Sequence, residues 1–172
     1  MKYAVAALGL AIAGTIGSLF LSLGMGLKAC PLCFYQRAFI MAAAAVLGVG
    51  LLADRGHFKL LCLISIPLAA AGLTVAAFHE YLVLTGVLEC PKALLGLGTA
   101  PAQSLIIFVA LLATVVAGAK RKPPVIGAAL ILGLLIAWGS IASAPPLPPA
   151  PKQPYDPATQ PLDMCRPVFR GA

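Results

Sequence analysis

Long apolar stretches separated by short polar breaks run through most of this chain. Five stretches stand out: Tyr3–Leu27, Phe34–Ala53, Leu60–Leu84, Ser104–Ala119 and Val125–Ser143. A helix that crosses a bilayer needs about 20 mostly apolar residues, a length that the fourth stretch reaches only if it begins within the Gly/Pro-rich segment before it. Polar and apolar residues do not alternate within the stretches, which argues against a β-barrel. The pattern predicts an all-α, polytopic membrane bundle.

The composition supports this prediction. Of the 172 residues, 61% are hydrophobic and only 10% are charged, whereas soluble domains average about 25% charged residues. A globule of this size has too little interior to bury so much apolar surface, so a water-soluble enzyme is excluded. In a membrane protein the net charge of +7 reflects loop residues that set orientation, and it does not imply a nucleic-acid partner.

The positions of lysine and arginine predict which side of the membrane each loop faces. With the N-terminus in the cytoplasm, six basic residues lie on the cytoplasmic side: Lys2, Arg55, Lys59, Lys120, Arg121 and Lys122. Only Lys28, Arg37 and Lys92 lie toward the other side before the tail. The positive-inside rule therefore favours this orientation. It gives a transmembrane domain over residues 1–143 and an external tail over residues 144–172, although Lys152, Arg166 and Arg170 in the tail count against it.

The first apolar stretch has a second interpretation. A basic N-terminus and an apolar run ahead of Cys30 also occur in lipoprotein signal peptides. Lys28 lies two residues before that cysteine, where cleavage sites favour small residues, and further apolar stretches follow. A retained helix is the favoured interpretation.

The tail from Ala144 onward is rich in proline, which favours an extended polyproline conformation. At about 3.1 Å per residue, the segment from Ser143 to Cys165 spans on the order of 60 Å. The tail is therefore long enough to bring Cys165 back over the helical bundle.

The five cysteines divide unevenly across the predicted topology. Cys30, Cys33, Cys90 and Cys165 lie on the external side, where disulfides persist, and Cys62 lies within a span near its cytoplasmic end. Cys62 is therefore predicted to be a small packing residue. The other four are candidates for redox chemistry.

Cys30 and Cys33 form a Cys-Pro-Leu-Cys motif at the start of the second span. Such pairs are redox-active or bind metal, and the positive end of a helix stabilises a thiolate, here expected at Cys33. Arg37 lies one turn further along the same face and needs an anionic or polar partner at this depth. The alternatives are an interfacial arginine beside a structural disulfide, and a metal site.

The segment from Ala29 to Arg37, ACPLCFYQR, resembles the active-site motif of the DsbB family. These bacterial inner-membrane proteins reoxidise a periplasmic thiol oxidase and pass the electrons to quinone. The resemblance implies a four-helix core, to which this sequence adds a fifth span and the tail. It also implies a DsbA-like soluble partner, a cofactor that is ubiquinone or menaquinone, and active cysteines on the periplasmic side.

The resemblance also implies roles for individual residues. Cys33 corresponds to the cysteine that interacts with the quinone, and Arg37 to the arginine that supports quinone binding. Gln36 and Phe34, in the same motif, are further candidates for cofactor binding. Tyr35 is, like Phe34, a candidate to line the quinone site. Both aromatic residues equally suit anchoring at the membrane interface. Two polar residues at the end of the third span, His79 and Glu80, resemble polar residues of the family or else face interfacial water.

The sequence departs from the family pattern in its second cysteine pair. The family usually has both cysteines of that pair before the fourth span, whereas here only Cys90 lies there. Our hypothesis is that Cys165, carried by the long tail, supplies the missing partner, and that Cys90 accepts the soluble oxidase. The alternative is that Cys90 acts alone or pairs only transiently with a partner protein.

Three other functions remain open from the sequence. One is an oxidoreductase like vitamin K epoxide reductase, although the Gln-Arg after the motif favours the DsbB family. Another is a membrane carrier for soft metal ions, with Cys30 and Cys33 as ligands. The third is a purely structural membrane subunit held by disulfides.

Overall fold

Five long helices make up most of the structure, a computed structural model that describes residues 1–146 and 149–169. The helices are α1 (Lys2–Leu23), α2 (Pro31–Ala53), α3 (Phe58–Leu84), α4 (Ala100–Ala119) and α5 (Pro123–Ala142). Short 3-10 turns lie at Arg55–His57 and Leu94–Gly96, and the strands β1 (Leu88–Glu89) and β2 (Arg166–Pro167) pair in antiparallel fashion. Arg170, one of the basic residues of the tail, lies outside the described residues.

The helices form a four-helix bundle with a fifth helix added on one side. Helix α1 packs on α2 and α4, and α3 packs on the same two helices from the opposite side. Helix α5 packs on α3. All five helices are long and apolar enough to cross a membrane, and large apolar side chains such as Leu52 and Trp138 cover the outside of the bundle. The predicted class, an all-α membrane bundle, is confirmed.

The helix ends differ by a few residues from the predicted ones, for local reasons. Helix α1 ends at Leu23 and not Leu27, because Gly26 adopts a positive φ that turns the chain. Helix α2 begins at Pro31 and not Phe34, since proline suits the first turn of a helix. The fourth helix gains four residues because the Thr99 hydroxyl accepts the backbone N–H of Ala102 and caps it early.

Helix α5 approaches α3 closely where α3 contains a proline. A Cβ on Gly133 of α5 would lie 2.7 Å from the carbonyl oxygen of Pro67. Gly133 is buried, so the absence of a side chain is what lets the two backbones meet. Small residues serve this purpose generally in membrane bundles. The fifth helix is therefore fitted to the core and adds to the buried surface of α3.

Gly72 of α3 provides a test of this packing. A Cβ there would overlap the ring of Phe108, which is almost fully buried on α4. We expect Gly72→Ala to lower the free energy of unfolding by about 1–3 kcal/mol, the usual cost of overpacking a core. Thermal unfolding of the purified protein in detergent measures this.

Gly9→Ala is the matched control, because Gly9 lies on α1 and a Cβ added there would have no other atom within 4 Å. It should leave the unfolding temperature unchanged or slightly raised. Equal effects of the two substitutions would contradict the close α3–α4 contact.

The tail returns to the end of the bundle where α1 ends and α2 begins. The backbone N–H of Lys28 donates to the carbonyl oxygen of Asp163 at 2.7 Å, and the two side chains form an ion pair. The strand pairing sets Glu89 opposite Arg166, and the guanidinium of Arg166 donates to the Glu89 carboxylate at 2.6 Å. The ring of Tyr155 stacks against the same guanidinium. These contacts fix the position of Cys165, which precedes β2.

Candidate functional site

The Cys30–Cys33 motif forms the beginning of α2. Cys30 is the N-cap residue, and its sulfur accepts the backbone N–H of Cys33 at 3.3 Å. The two sulfurs lie 3.0 Å apart and are not bonded in this structure. From the sequence, the helix end was expected to stabilise a thiolate at Cys33. The geometry instead directs the free N–H of the first turn at Cys30, because Cys30 lies before the helix and Cys33 lies within it.

The pKa of Cys30 is lowered to about 4, mainly because the thiol of Cys33 donates a hydrogen bond to its sulfur. Burial opposes this change, while hydrogen bonding to His79 and the electrostatic effect of that ring support it. In the dithiol form, Cys30 is therefore the sulfur that carries the negative charge.

A disulfide joins Cys90, after β1, to Cys165, before β2. This is the pairing that the sequence hypothesis put forward, across 75 residues of chain. Cys165 is 8% exposed and its sulfur lies within 4.8 Å of the sulfurs of Cys30 and Cys33. Cys90 is partly exposed. The two cysteine pairs are therefore in contact range, with Cys165 as the inner member of the second pair.

His79 of α3 lies at the centre of this cluster and is fully buried. Its Nε2 atom is 3.7 Å from the sulfur of Cys30 and 3.6 Å from that of Cys90, and its Nδ1 atom is 4.0 Å from the sulfur of Cys33. The alternative that His79 faces interfacial water is wrong. The neighbouring Glu80 has a different position, where its carboxylate accepts the hydroxyl of Thr99 at the start of α4.

Gln36 sets the orientation of the imidazole. The side chain is 5% exposed, and its amide nitrogen lies 3.2 Å from Nδ1 of His79. An amide N–H donating to Nδ1 leaves the ring proton on Nε2, which faces the sulfurs of Cys30 and Cys90. Gln36 therefore acts on the cysteines through His79.

A cavity of about 450 Å³ lies beside Cys33, between α1, α2 and α4. Its lining is mostly apolar, with Cys33, Gln36 and Arg37 on the α2 side, and Cys165 also contributes to it. Ligand pockets for small molecules and cofactors have volumes of about 300–1,000 Å³ and few polar groups. The cavity thus has the size and lining to accept an apolar ring bearing polar oxygens.

Arg37 is held by the end of α1. Its guanidinium donates to the hydroxyl of Ser18 at 2.9 Å, to the Ser18 carbonyl oxygen at 2.9 Å and to the hydroxyl of Ser22 at 2.6 Å. Neither serine was among the candidates from the sequence. Their i, i+4 spacing near the end of a span, at the depth of a partly buried arginine on the next span, is the signal that points to them.

The remaining candidates lie apart from the cavity. Phe34 is 64% exposed and does not line it, so its position suits an anchor at the membrane interface. Tyr35 packs against the buried group around Cys30. Cys62 is fully buried near the opposite end of α3, where Gly118 of α4 leaves room for its sulfur. The position of Cys62 is therefore that of a packing residue.

Comparisons with known proteins agree with the motif. The family model for disulfide bond formation protein DsbB matches residues 2–104. A "Probable disulfide formation protein" from Deinococcus radiodurans is 39% identical over 71 residues, which is 41% of this chain and 44% of that relative. The aligned segment thus spans less than half of the relative's length. No solved structure matches this chain.

The matched residues contain the Cys30–Cys33 pair, Gln36, Arg37, His79 and Cys90, and they leave out α5 and the tail with Cys165. Because the family model covers well over half of the chain, this protein belongs to the DsbB family of disulfide bond formation proteins.

Proposed function

We propose that this protein is a membrane disulfide oxidoreductase that reoxidises a periplasmic thiol oxidase of the thioredoxin type and delivers the electrons to a membrane quinone. One observation carries the proposal: the sulfurs of Cys30, Cys33 and Cys165, which come from two cysteine pairs, lie within 4.8 Å of one another around the buried His79, beside an apolar cavity. Electrons pass between cysteine pairs by thiol–disulfide exchange, which requires this proximity.

The outer pair, Cys90 and Cys165, exchanges with the soluble partner. Cys90 is the more exposed residue of the pair, so a thiolate of the partner attacks its sulfur, forms a mixed disulfide with Cys90 and releases Cys165 as a thiolate. The partner's second thiol then displaces Cys90 and leaves with its disulfide formed. The partner has lost two electrons and two protons, and the outer pair has become a dithiol.

The inner pair, Cys30 and Cys33, takes these electrons when its own disulfide is closed. Cys165 attacks Cys30, a Cys30–Cys165 bond forms, and the Cys30–Cys33 bond breaks with Cys33 leaving as a thiolate on the cavity side. Cys90 then attacks Cys165, which restores the outer disulfide and releases Cys30. Nε2 of His79 lies against the sulfurs of Cys30 and Cys90, so its N–H is placed to donate a proton to a departing thiolate and then to take up a thiol proton in its place.

The cavity beside Cys33 fits a quinone by its volume, its apolar walls and its few polar groups. Arg37 and Gln36 would hold the ring oxygens, and Cys33 would face the ring. A bound quinone supplies the acceptor for two electrons and two protons that side chains lack. The chain's own part is to hold the Arg37 guanidinium in place, through Ser18 and Ser22, and to exclude water with the tail.

We further propose that the cysteine cluster lies on the periplasmic side of the bacterial inner membrane. The basic residues at the opposite end of the bundle support this orientation, and stable disulfides need an oxidising compartment. The transmembrane part would end near residue 143, and residues 144–172 would form a periplasmic tail.

The test uses the purified full chain in detergent, a reduced thioredoxin-like thiol oxidase and a soluble quinone. We expect the oxidase to be reoxidised catalytically, at a rate that depends on quinone and stops without it. Oxidation of the oxidase thiols without reduction of quinone would contradict the proposal. A rate of reoxidation that does not depend on the quinone concentration would contradict it as well.

Arg37 is expected to act mainly on the cavity side of this relay. Because its charge is placed where negative charge develops, Arg37→Met should lower kcat/KM for quinone by about 10²–10³-fold, as loss of an oxyanion-stabilising donor does elsewhere. Steady-state kinetics with varied quinone measure the effect. The double substitution of Ser18 and Ser22 by alanine should give a smaller loss in the same direction, since the guanidinium remains but is no longer held.

Thr15→Ala is the control for the serines. Thr15 is also on α1, but its hydroxyl donates to the carbonyl oxygen of Ala11 in its own helix. It should leave quinone kinetics unchanged. Unaltered kcat/KM in Arg37→Met would remove the arginine from the proposed site.

A further inference from the structure

We propose that the fully reduced protein binds one borderline-soft divalent cation of the Zn²⁺ class through Cys30, Cys33, Cys165 and His79, and that this ion halts the relay. The inference rests on the proposed function for how the thiols become reduced in the cell and for the relay that the ion halts. Two molecules of a dithiol partner, in the absence of an acceptor, deliver four electrons and four protons and open both disulfides.

The donor atoms are already gathered. One atom from each of the four residues lies within 4.8 Å of the other three, and three of the residues are buried. Three thiolates with one imidazole form a common structural zinc set, and tetrahedral coordination is what such sites adopt. The start of α2 suits the set further, because Cys30 caps the helix, Cys33 lies in its first turn, and a backbone N–H already points at the sulfur of Cys30.

Gln36 would complete the outer coordination shell. A metal on Nε2 of His79 requires the ring proton to move to Nδ1, and turning the Gln36 amide by 180° offers its oxygen as the acceptor for that proton. Ligating histidines usually have such a partner for their second nitrogen. Binding replaces up to three thiol protons and leaves a net charge of −1. Lys28 and Arg37 line the adjoining cavity together with Cys33 and Cys165, which favours the added negative charge.

The geometry also selects one member of the outer pair. The sulfur of Cys90 lies 3.6 Å from Nε2 of His79, whereas Cys165 belongs to the group of donors that all lie within 4.8 Å of one another. A metal bound by Cys30, Cys33 and Cys165 holds all three as thiolates, so the inner disulfide that Cys165 attacks cannot re-form and the relay stops. The ion therefore acts as an inhibitor of the reduced state and not as transported cargo.

The experiment measures metal binding and not turnover. The full-length protein is reduced completely, freed of reductant and quinone under anaerobic conditions, and titrated with Co²⁺, whose d–d and thiolate charge-transfer bands report tetrahedral sulfur coordination. We expect one Co²⁺ per chain with bands that Zn²⁺ abolishes by displacement. The oxidised protein should show none, since Cys165 is then bonded to Cys90.

Matched cysteine variants decide the ligand set. Cys90→Ala and Cys62→Ala should retain the bands, whereas Cys165→Ala should weaken Co²⁺ binding by more than the roughly 10–100-fold that loss of an outer-shell partner costs. His79→Gln should shift the bands as one nitrogen ligand is lost. Circular dichroism checks that each variant is folded.

The inference is overturned if reduced wild-type protein gives no tetrahedral bands, if Cys165→Ala binds Co²⁺ as tightly as wild type, or if Cys90→Ala loses as much as Cys165→Ala. Each result is independent of quinone. Failure of quinone-dependent turnover in metal-free buffer would instead count against the proposed function.

Discussion

Replacing Cys33 by alanine is expected to reduce quinone-dependent reoxidation of the thiol oxidase to the rate measured without protein. Cys33 is the cysteine of the inner pair that lines the cavity, and its sulfur lies 3.0 Å from that of Cys30. Without it the inner disulfide cannot form, so electrons that reach Cys165 have no onward path. An assay that is quenched at set times measures both the loss of oxidase thiols and the change in quinone absorbance.

Cys62→Ala is the control for this result. It also removes one sulfur, but Cys62 packs against Gly118 near the far end of the bundle. Its turnover should stay close to that of wild type, and the disulfides should form as before. Normal turnover in Cys33→Ala, or a lost activity in Cys62→Ala, would contradict the assignment of the inner pair. Small-dithiol oxidation should likewise fail in Cys33→Ala, because it enters the relay at the inner pair.

The sequence was sufficient for the bundle and for the inner pair because both depend on local information. Twenty apolar residues with few charges define a span wherever they occur. Cys30, Cys33 and Arg37 lie within eight residues on one element, so their common face follows from helix geometry. These features did not need knowledge of which helices meet.

The parts that the sequence left open depend on contacts between distant elements. The bounds of the third apolar stretch put His79 near the end of α3, but whether it faces water or the cysteines depends on how α3 packs against α2. The same is true of Ser18 and Ser22, which are ordinary polar residues of α1 until Arg37 is placed opposite them. Helix–helix registry in membranes comes from small-residue packing and scattered polar contacts, and single-span patterns do not encode it.

The tail illustrates a third case. Its length made a Cys90–Cys165 bond possible, yet proline content alone predicts how far the tail can extend and not where it binds. The place where the tail binds is set by specific pairs, Lys28 with Asp163 and Glu89 with Arg166, that join the tail to the segments before α2 and after α3. Hydrogen bonding to Lys28 lowers the pKa of Asp163, so this carboxylate is charged at neutral pH. Lowering the pH toward the range in which Asp163 is protonated weakens that attachment.

Removing Cys165 is expected to stop turnover of the protein substrate while leaving the inner pair functional. Cys165→Ala has no outer disulfide for the partner to attack, so reoxidation of the thiol oxidase should fall to background. A small dithiol should still be oxidised in the presence of quinone, since Cys33 is partly exposed and needs no help from the tail. This split between the two substrates separates a redox role for Cys165 from general damage to the fold, which would abolish both activities.

Cys90→Ala removes the other half of the same bond and should give a different product. Turnover of the protein substrate should again be lost, but the free sulfur of Cys165 now lies within 4.8 Å of both inner sulfurs. Mild oxidation should therefore trap a peptide that joins Cys165 to Cys30 or Cys33, visible by mass spectrometry after proteolysis without reduction. If that peptide were absent from Cys90→Ala, or if Cys165→Ala oxidised the protein substrate at the wild-type rate, Cys165 would be a tether for the tail and the relay would have to pass through Cys90 alone.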